Sequence, residues 1–214
     1  MDSKFRLSPE AEEARYATHN NTPLDGRYVT YLDSFLRAAV LPYADPRQAV
    51  LDFGSGPQPV LQGLLYQYGY RAFGYDKFYA PDRSPLHPPY GSIVAIEVLE
   101  HLWDPAGVFS LFAELLRPGG ILAVRTMLLP VEVVAAFDSL DLEEKCCKVD
   151  KSEVDTITTS IAGSDLPAFW RWWYRHDGTH VTFYSERSLT YIQERWPLEL
   201  IREEGRKEVT FRRR

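Results

Sequence analysis

The strongest constraint on the fold is a short apolar run that ends in a glycine turn: Ala49, Val50 and Leu51, then Asp52-Phe53-Gly54-Ser55-Gly56-Pro57. The run reads as a buried strand. Glycines let the backbone take positive φ and approach a ligand closely. Pro59 suits the first turn of a helix, and Val60, Leu61, Leu64, Leu65 and Tyr68 share one face of it until Gly69. A second strand is expected over 70–75, ending at Asp76. The prolines between 79 and 91 make that stretch a loop.

The same alternation continues. A strand over 93–96 leads into a helical segment at 97–102. Val108, Phe109, Phe112, Leu115 and Leu116 recur at helix spacing up to Pro118-Gly119-Gly120, and 121–129 reads as another buried strand. A helix over about 131–148 follows, then a polar stretch read as loop or flap. Ser185 caps a helix reaching about Trp196, and strands at 198–202 and 207–212 flank a turn at Gly205. Before the first strand, Tyr28, Leu32, Phe35, Leu36 and Ala39 predict a helix from Asp25 or Gly26, ended by Pro42 and Pro46. Strands alternating with helices imply a parallel sheet. The 214 residues suit one domain: residues 1–24 an N-terminal arm, and 25–214 a single domain with a lid or insertion at 131–175.

Open parallel sheets bind ligands at the carboxyl ends of their strands, where an acid at the tip of the second strand can accept from ribose hydroxyls. The glycine turn and Asp76 occupy those places. A dinucleotide fingerprint fails, because Pro59 stands where its third glycine would be, and no Gly-Lys-Ser/Thr phosphate loop exists. Asp52, two residues before the first glycine, suits a ligand with a cationic amino-acid end.

These residues resemble motif I of class I S-adenosylmethionine-dependent methyltransferases. Asp76 matches that group's ribose-binding acid, Glu97-Val98-Leu99-Glu100-His101-Leu102 its segment after the fourth strand, and Leu115-Leu116-Arg117-Pro118-Gly119-Gly120 its turn before the fifth. Four motifs in this order cover residues 49–129. A narrower resemblance, to a methyltransferase-domain family with a Thr-His-Val-x-Phe-Tyr-Ser segment, extends over Arg15-Tyr16, His19-Asn20-Asn21 and Tyr28, and over Trp173-Tyr174, Asp177 and Thr179 to Ser185. Gln58 departs from the usual third small residue of motif I, and 131–167 is longer than the family's connection.

The resemblance implies a Rossmann-like α/β fold, a seven-stranded sheet flanked by helices with the last strand antiparallel. It implies S-adenosylmethionine as cofactor, held by Asp52, Phe53, Gly54, Ser55, Gly56, Asp76, Lys77, Phe78 and Glu97. His19, Asn20, Trp173 and Tyr174 are expected at the substrate or lid.

Glu97, Glu100 and His101 stand at i, i+3 and i+4, which on a helix places them on one face. With His180 they make a candidate site for a divalent metal, their mixed oxygen and nitrogen donors suiting manganese, iron, cobalt or zinc better than magnesium. The set resembles the metal site of small-RNA 3′-terminal 2′-O-methyltransferases. The plainer reading is that acids in a first helical turn complement its dipole and that Glu97 lines the cofactor cleft. His101 and His180 are candidate catalytic bases, with Asp177 close enough in sequence to orient His180. The aromatics at 169–174 form either a pocket wall or packing under a flap.

A net charge of −6 argues against nucleic acid as a partner. The basic residues Arg202, Arg206, Lys207 and Arg212 to Arg214 read as a solvated edge strand and tail. The adjacent Cys146 and Cys147 make neither a zinc ribbon nor an easy disulfide. No apolar run of about 18 residues exists, so no membrane span and a cytoplasmic setting are expected. The expected reaction is O-methylation of a small-molecule hydroxyl. Its rivals are a metal-dependent RNA 2′-O-methyltransferase and a non-catalytic module that binds S-adenosylmethionine.

Overall fold

In the computed structural model the chain is described at residues 7–18, 21–87, 89–139, 169 and 171–214. Twelve elements matter. In order they are α1 (Pro9–Tyr16), α2 (Gly26–Phe35), β1 (Val50–Phe53), α3 (Val60–Gln67), β2 (Ala72–Tyr75), β3 (Tyr90–Ile96), α4 (Pro105–Leu115), β4 (Leu116–Arg125), α5 (Val131–Ser139), α6 (Glu186–Arg195), β5 (Leu198–Glu204) and β6 (Glu208–Arg213).

The strands form one sheet in the order β2-β1-β3-β4-β6-β5. The pairs β1–β2, β1–β3 and β3–β4 are parallel. Strand β6 runs antiparallel to both β4 and β5, as expected for the last strand. Six strands stand among the described residues, against the seven expected. The physical reason lies between β2 and β3. A strand beyond β2 would need its own crossover of a dozen or more residues. Among the described residues of 77–89, a stretch that carries prolines, the chain makes a turn closed by the Asp76–Ala80 bridge and a short 3₁₀ turn, Ser84–Leu86, but no strand.

Both faces of the sheet are covered, so its central strands are apolar on both sides. Successive side chains point to opposite faces. Leu51, Phe53, Ile93, Ala95, Leu122 and Val124 join a core with Phe109, Phe112 and Trp196. Val50, Val94, Ile121 and Ala123 join another with Leu32, Phe35, Leu36 and Leu61. The helix over 26–40 keeps the predicted spacing of Leu32, Phe35, Leu36 and Ala39, all buried; its last turn widens, with the Leu41 amide donating to the Leu36 carbonyl. Helix starts follow capping chemistry. Asp25 accepts from the Arg27 and Tyr28 amides, Asp104 accepts from Gly107, and Ser185 forms a reciprocal cap with Ser188.

Two regions differ from the sequence expectation. The arm at 1–24 contains helix α1, begun by Ser8 and Pro9. The helical segment at 97–102 shrinks to one 3₁₀ turn, Leu99–His101, because Glu97 takes φ +52 on leaving β3. Helix α5 covers the first part of the expected 131–148 helix, and the remainder lies outside the described residues. No described helix is long and apolar enough to cross a membrane.

Candidate active site

The order of strands reverses between β1 and β3, since β1 leads outward to β2 while β3 lies on its other side. A crevice opens at the carboxyl ends of strands at such a point. The glycine turn after β1 and Glu97 after β3 are its two walls.

The turn is locked by short-range geometry. Gly54 has φ +80, and a Cβ there would lie 2.3 Å from Val98 Cγ2. Gly56 has φ +67 with open space around it. The Gly54 and Ser55 amides donate to the Tyr75 carbonyl, at 2.7 and 3.1 Å. Asp76 Oδ2 accepts from the Gly56 amide at 3.0 Å, and its Oδ1 accepts from Phe78 and Tyr79. That carboxylate ties the two turns together and keeps a lone pair on Oδ2 for a ligand hydroxyl. Asp52 is 4% exposed, with no hydrogen bond to its Oδ2. Burial pushes its carboxyl up to about 7, with the charge of Asp76 adding to the rise against a Gln62 hydrogen bond. Phe53 offers only backbone here, because its ring packs on Tyr75 and Phe112 in the core.

Across the crevice, Glu97 Oε1 accepts from the Tyr31 hydroxyl at 2.9 Å and lies 3.4 Å from Arg125 Nε. Arg125 also pairs with Glu208 and sits over the Tyr31 ring. Glu97 Oε2 accepts from the Tyr174 hydroxyl at 3.3 Å. Glu97 therefore does not share a helical face with Glu100 and His101, contrary to the i, i+3, i+4 expectation. Its positive φ turns it toward Tyr31 and Arg125.

Glu100, His101 and His180 do converge. One ligand-type atom from each lies within 4.8 Å of the others. Glu100 is fully buried, and neither carboxylate oxygen has a hydrogen bond. The Tyr174 hydroxyl sits between the two acids: it lies 3.3 Å from Glu97 Oε2 and also interacts with Glu100. Burial, followed by the charge of Glu97, holds the Glu100 carboxyl above its ordinary range. His101 Nδ1 lies 3.1 Å from the Thr179 carbonyl and His180 Nδ1 2.6 Å from the Tyr174 carbonyl. A carbonyl only accepts, so both Nδ1 atoms carry the hydrogen and both Nε2 atoms offer lone pairs. The rings meet edge-on with centroids 4.8 Å apart. Burial pushes His101 down to about 4 and lowers His180 as well. The orienting partner of His180 is thus the Tyr174 carbonyl. Asp177 instead accepts from Thr179 and binds Arg15.

Helix α1, which no sequence pattern places here, closes over this region. Its Arg15 pairs with Asp177 at 2.6 Å and its Glu12 with Lys77 at 2.5 Å. The Tyr16 ring packs against Phe78 and edge-on against His101. Lys77 thereby faces α1, with its ammonium 4.6 Å from the Phe78 ring centre. Beyond the resemblance at Arg15-Tyr16, the sequence trace of α1 is the Ser8-Pro9 cap, since its polar residues form no apolar stripe. Of the expected lid residues, Tyr174 is buried against Trp172 and His180, while Trp173 is 67% exposed. His19 and Asn20 lie outside the described residues.

A methyltransferase-domain family model matches residues 26–203. No curated protein matches the sequence. Among solved structures, the mitomycin 7-O-methyltransferase MmcR is similar with a TM-score of 0.56 and 14% identity over 98% of this chain and 59% of its own. CalO1, a methyltransferase in calicheamicin biosynthesis in its SAH-bound form, has a TM-score of 0.52 and 13% identity over 98% and 60%. PH0226 from Pyrococcus horikoshii OT3 has a TM-score of 0.53 and 11% identity over 94% and 99%. The chain spans about three fifths of the length of MmcR and CalO1.

Proposed function

This chain belongs to the methyltransferase-domain family, class I enzymes that use S-adenosylmethionine, and from that premise we propose that it methylates the hydroxyl of a small molecule. The observation that carries the reading is the pair of neutral imidazoles beside the crevice, each with Nδ1–H fixed on a backbone carbonyl and Nε2 free. Such a nitrogen can take a hydroxyl proton. An amine acceptor, already nucleophilic when neutral, has less need of one. The O-methyltransferase named among the similar structures supports the same class of acceptor.

In this reading the cofactor lies over the carboxyl ends of β1, β2 and β3. The glycine turn and Asp52 meet its amino-acid end, Asp76 its ribose, and Phe78 its adenosine. Glu97 borders the sulfonium. The acceptor oxygen attacks the methyl carbon in line. When bound, S-adenosylmethionine would supply the methyl group and leave as S-adenosylhomocysteine, and Nε2 of His180 would take the hydroxyl proton. The sulfonium is already an activated leaving group, so alignment and exclusion of water are the protein's main contributions. Helix α1, with Tyr16 against His101, supplies part of that exclusion. The net charge of −6 favours a small acceptor over a nucleic acid.

The test is transfer from cofactor carrying a ¹³C-methyl group into a metabolite extract, read by NMR. A methoxy signal is expected, and an N-methyl signal alone sinks the reading. Two further results are expected. Cofactor affinity should strengthen as pH rises through about 7, because below that Asp52 is neutral and cannot attract the cofactor's ammonium. Binding near neutral pH should then release a proton, measurable by calorimetry in buffers of different ionisation enthalpy. Asp52→Asn should remove this dependence. Tyr16→Ala should raise the acceptor KM by about tenfold, the equivalent of one lost aromatic contact of ~1.4 kcal/mol.

A further inference from the structure

Glu100, His101 and His180 present an unusual electrostatic arrangement. Three lone-pair donors converge, and the nearest hydroxyl, that of Tyr174, is shared between Glu97 and Glu100. Glu100 is fully buried with both oxygens unpartnered. His101 Nε2 lies 3.9 Å from Glu100 Oε1, too far for a hydrogen bond even with a protonated carboxyl. Both imidazoles have committed their only hydrogen to carbonyls on the 174–180 segment. A buried carboxylate without a full set of partners is unfavourable, and converging acceptors make it more so. A cation relieves all three groups at once.

From this geometry we infer that Glu100, His101 and His180 form a three-ligand site for a divalent transition-metal ion. Metal-bound histidines donate their other ring nitrogen to a carbonyl or carboxylate, which fixes the tautomer and aims the ring. Both histidines here already have that outer partner. One oxygen and two imidazole nitrogens suit zinc, cobalt, iron or manganese rather than magnesium. Ligands at about 2 Å from a shared ion stand roughly 3–4 Å apart, against a present spread of up to 4.8 Å. Three protein ligands leave a position open to an exchangeable oxygen.

Glu97 is not a ligand in this assignment. Its carboxylate is balanced by Arg125 and bonded by Tyr31 and Tyr174. The site deepens the proposed function and rests on reading this cluster as the acceptor end of the crevice. An ion there lowers the pKa of a hydroxyl bound at it and takes over that task from the free imidazole.

The probe is Co²⁺ titrated into chelator-stripped protein and followed by its visible absorption, with elemental analysis of the protein as purified. One equivalent of Co²⁺ should bind and be displaced by Zn²⁺. Glu100→Gln and His180→Ala should each weaken binding on the order of 100-fold or more. Glu97→Gln should leave it unchanged. Retained S-adenosylmethionine binding in Glu100→Gln and His180→Ala, and an unchanged melting temperature in Glu97→Gln, certify the fold. Absence of stoichiometric Co²⁺ binding to the wild type, or equal binding by all three variants, overturns the site. Undiminished methoxy formation by metal-free protein also overturns the inference while leaving the proposed reaction intact. Stoichiometric Co²⁺ binding with no methoxy product supports the metal site and removes the proposed reaction instead.

Discussion

His180→Ala is expected to lower turnover by 10²- to 10⁴-fold, roughly the range for losing a positioned proton acceptor, while S-adenosylmethionine binds as before. The two outcomes separate because His180 belongs to the acceptor end of the crevice. Its ring packs on Tyr174 with centroids 4.1 Å apart, and its Nδ1–H is held by the Tyr174 carbonyl. None of these contacts reaches the glycine turn or Asp76. A comparison with Tyr174→Phe sharpens the result. That change keeps the ring and the carbonyl that orient His180, and removes the hydroxyl shared by Thr126, Met127, Glu97 and Glu100. Its effect should be smaller, about 10- to 100-fold, since one hydrogen bond to a carboxylate is worth roughly 1.5–3 kcal/mol. Stopped-flow or discontinuous assays with labelled cofactor measure the rates, and calorimetry measures the affinity. Equal loss of cofactor affinity in His180→Ala would place the histidine in the wrong half of the crevice.

Gly54→Ala should abolish cofactor binding at millimolar concentrations and destabilise the protein. Two costs add. A residue with a Cβ at φ +80 pays about 1–2 kcal/mol for the left-handed backbone. The new Cβ would also sit 2.3 Å from Val98 Cγ2, which follows Glu97 at the end of β3. One wall must shift away from the other, and the crevice loses its width. Gly56→Ala separates the two costs, because Gly56 has φ +67 but an added Cβ there meets nothing within 4 Å. It should cost only the backbone strain, about tenfold in affinity. Gly63→Ala serves as the opposite control. Its Cβ meets nothing within 4 Å in the middle of α3, so helix propensity should stabilise the protein by about 0.5–1 kcal/mol. Thermal melts and calorimetry on the three variants give the ranking. If Gly54→Ala behaved like Gly56→Ala, Val98 would not be setting the width of the crevice.

Much of this architecture is legible in the sequence where local chemistry and global topology agree. The run Val50-Leu51 followed by two glycines fits a buried strand leaving its sheet sharply, and both glycines do take positive φ. Asp76 marks the tip of β2 because the acid ends an apolar run, and it binds the glycine turn directly. The alternation of strands and helices is readable for the same reason. The seventh strand follows from the resemblance alone, and the proline-rich 77–89 connection does not accommodate it.

The differences share another cause. Glu97, Glu100 and His101 have a helical period in sequence at a point where the chain is leaving a strand. One residue at φ +52 breaks the period, and that angle has no signature in a glutamate. The partner of His180 is a backbone carbonyl, which sequence never displays; the acid nearest in sequence, Asp177, is a false lead. Helix α1 docks through ion pairs and one aromatic ring rather than an apolar stripe, so periodicity carries no warning of it.

One crevice, in the reading proposed above, holds the cofactor on the glycine turn and Asp76 and points its methyl group toward Glu100, His101 and His180. A crystal structure with S-adenosylhomocysteine bound is the decisive measurement. Ribose hydroxyls should lie on Asp76 and the amino-acid end at Gly54 to Gly56. The sulfur should face the two Nε2 atoms, with room for one acceptor between them. A sulfur atom turned away from His101 and His180, or a ribose held elsewhere than at Asp76, would contradict it.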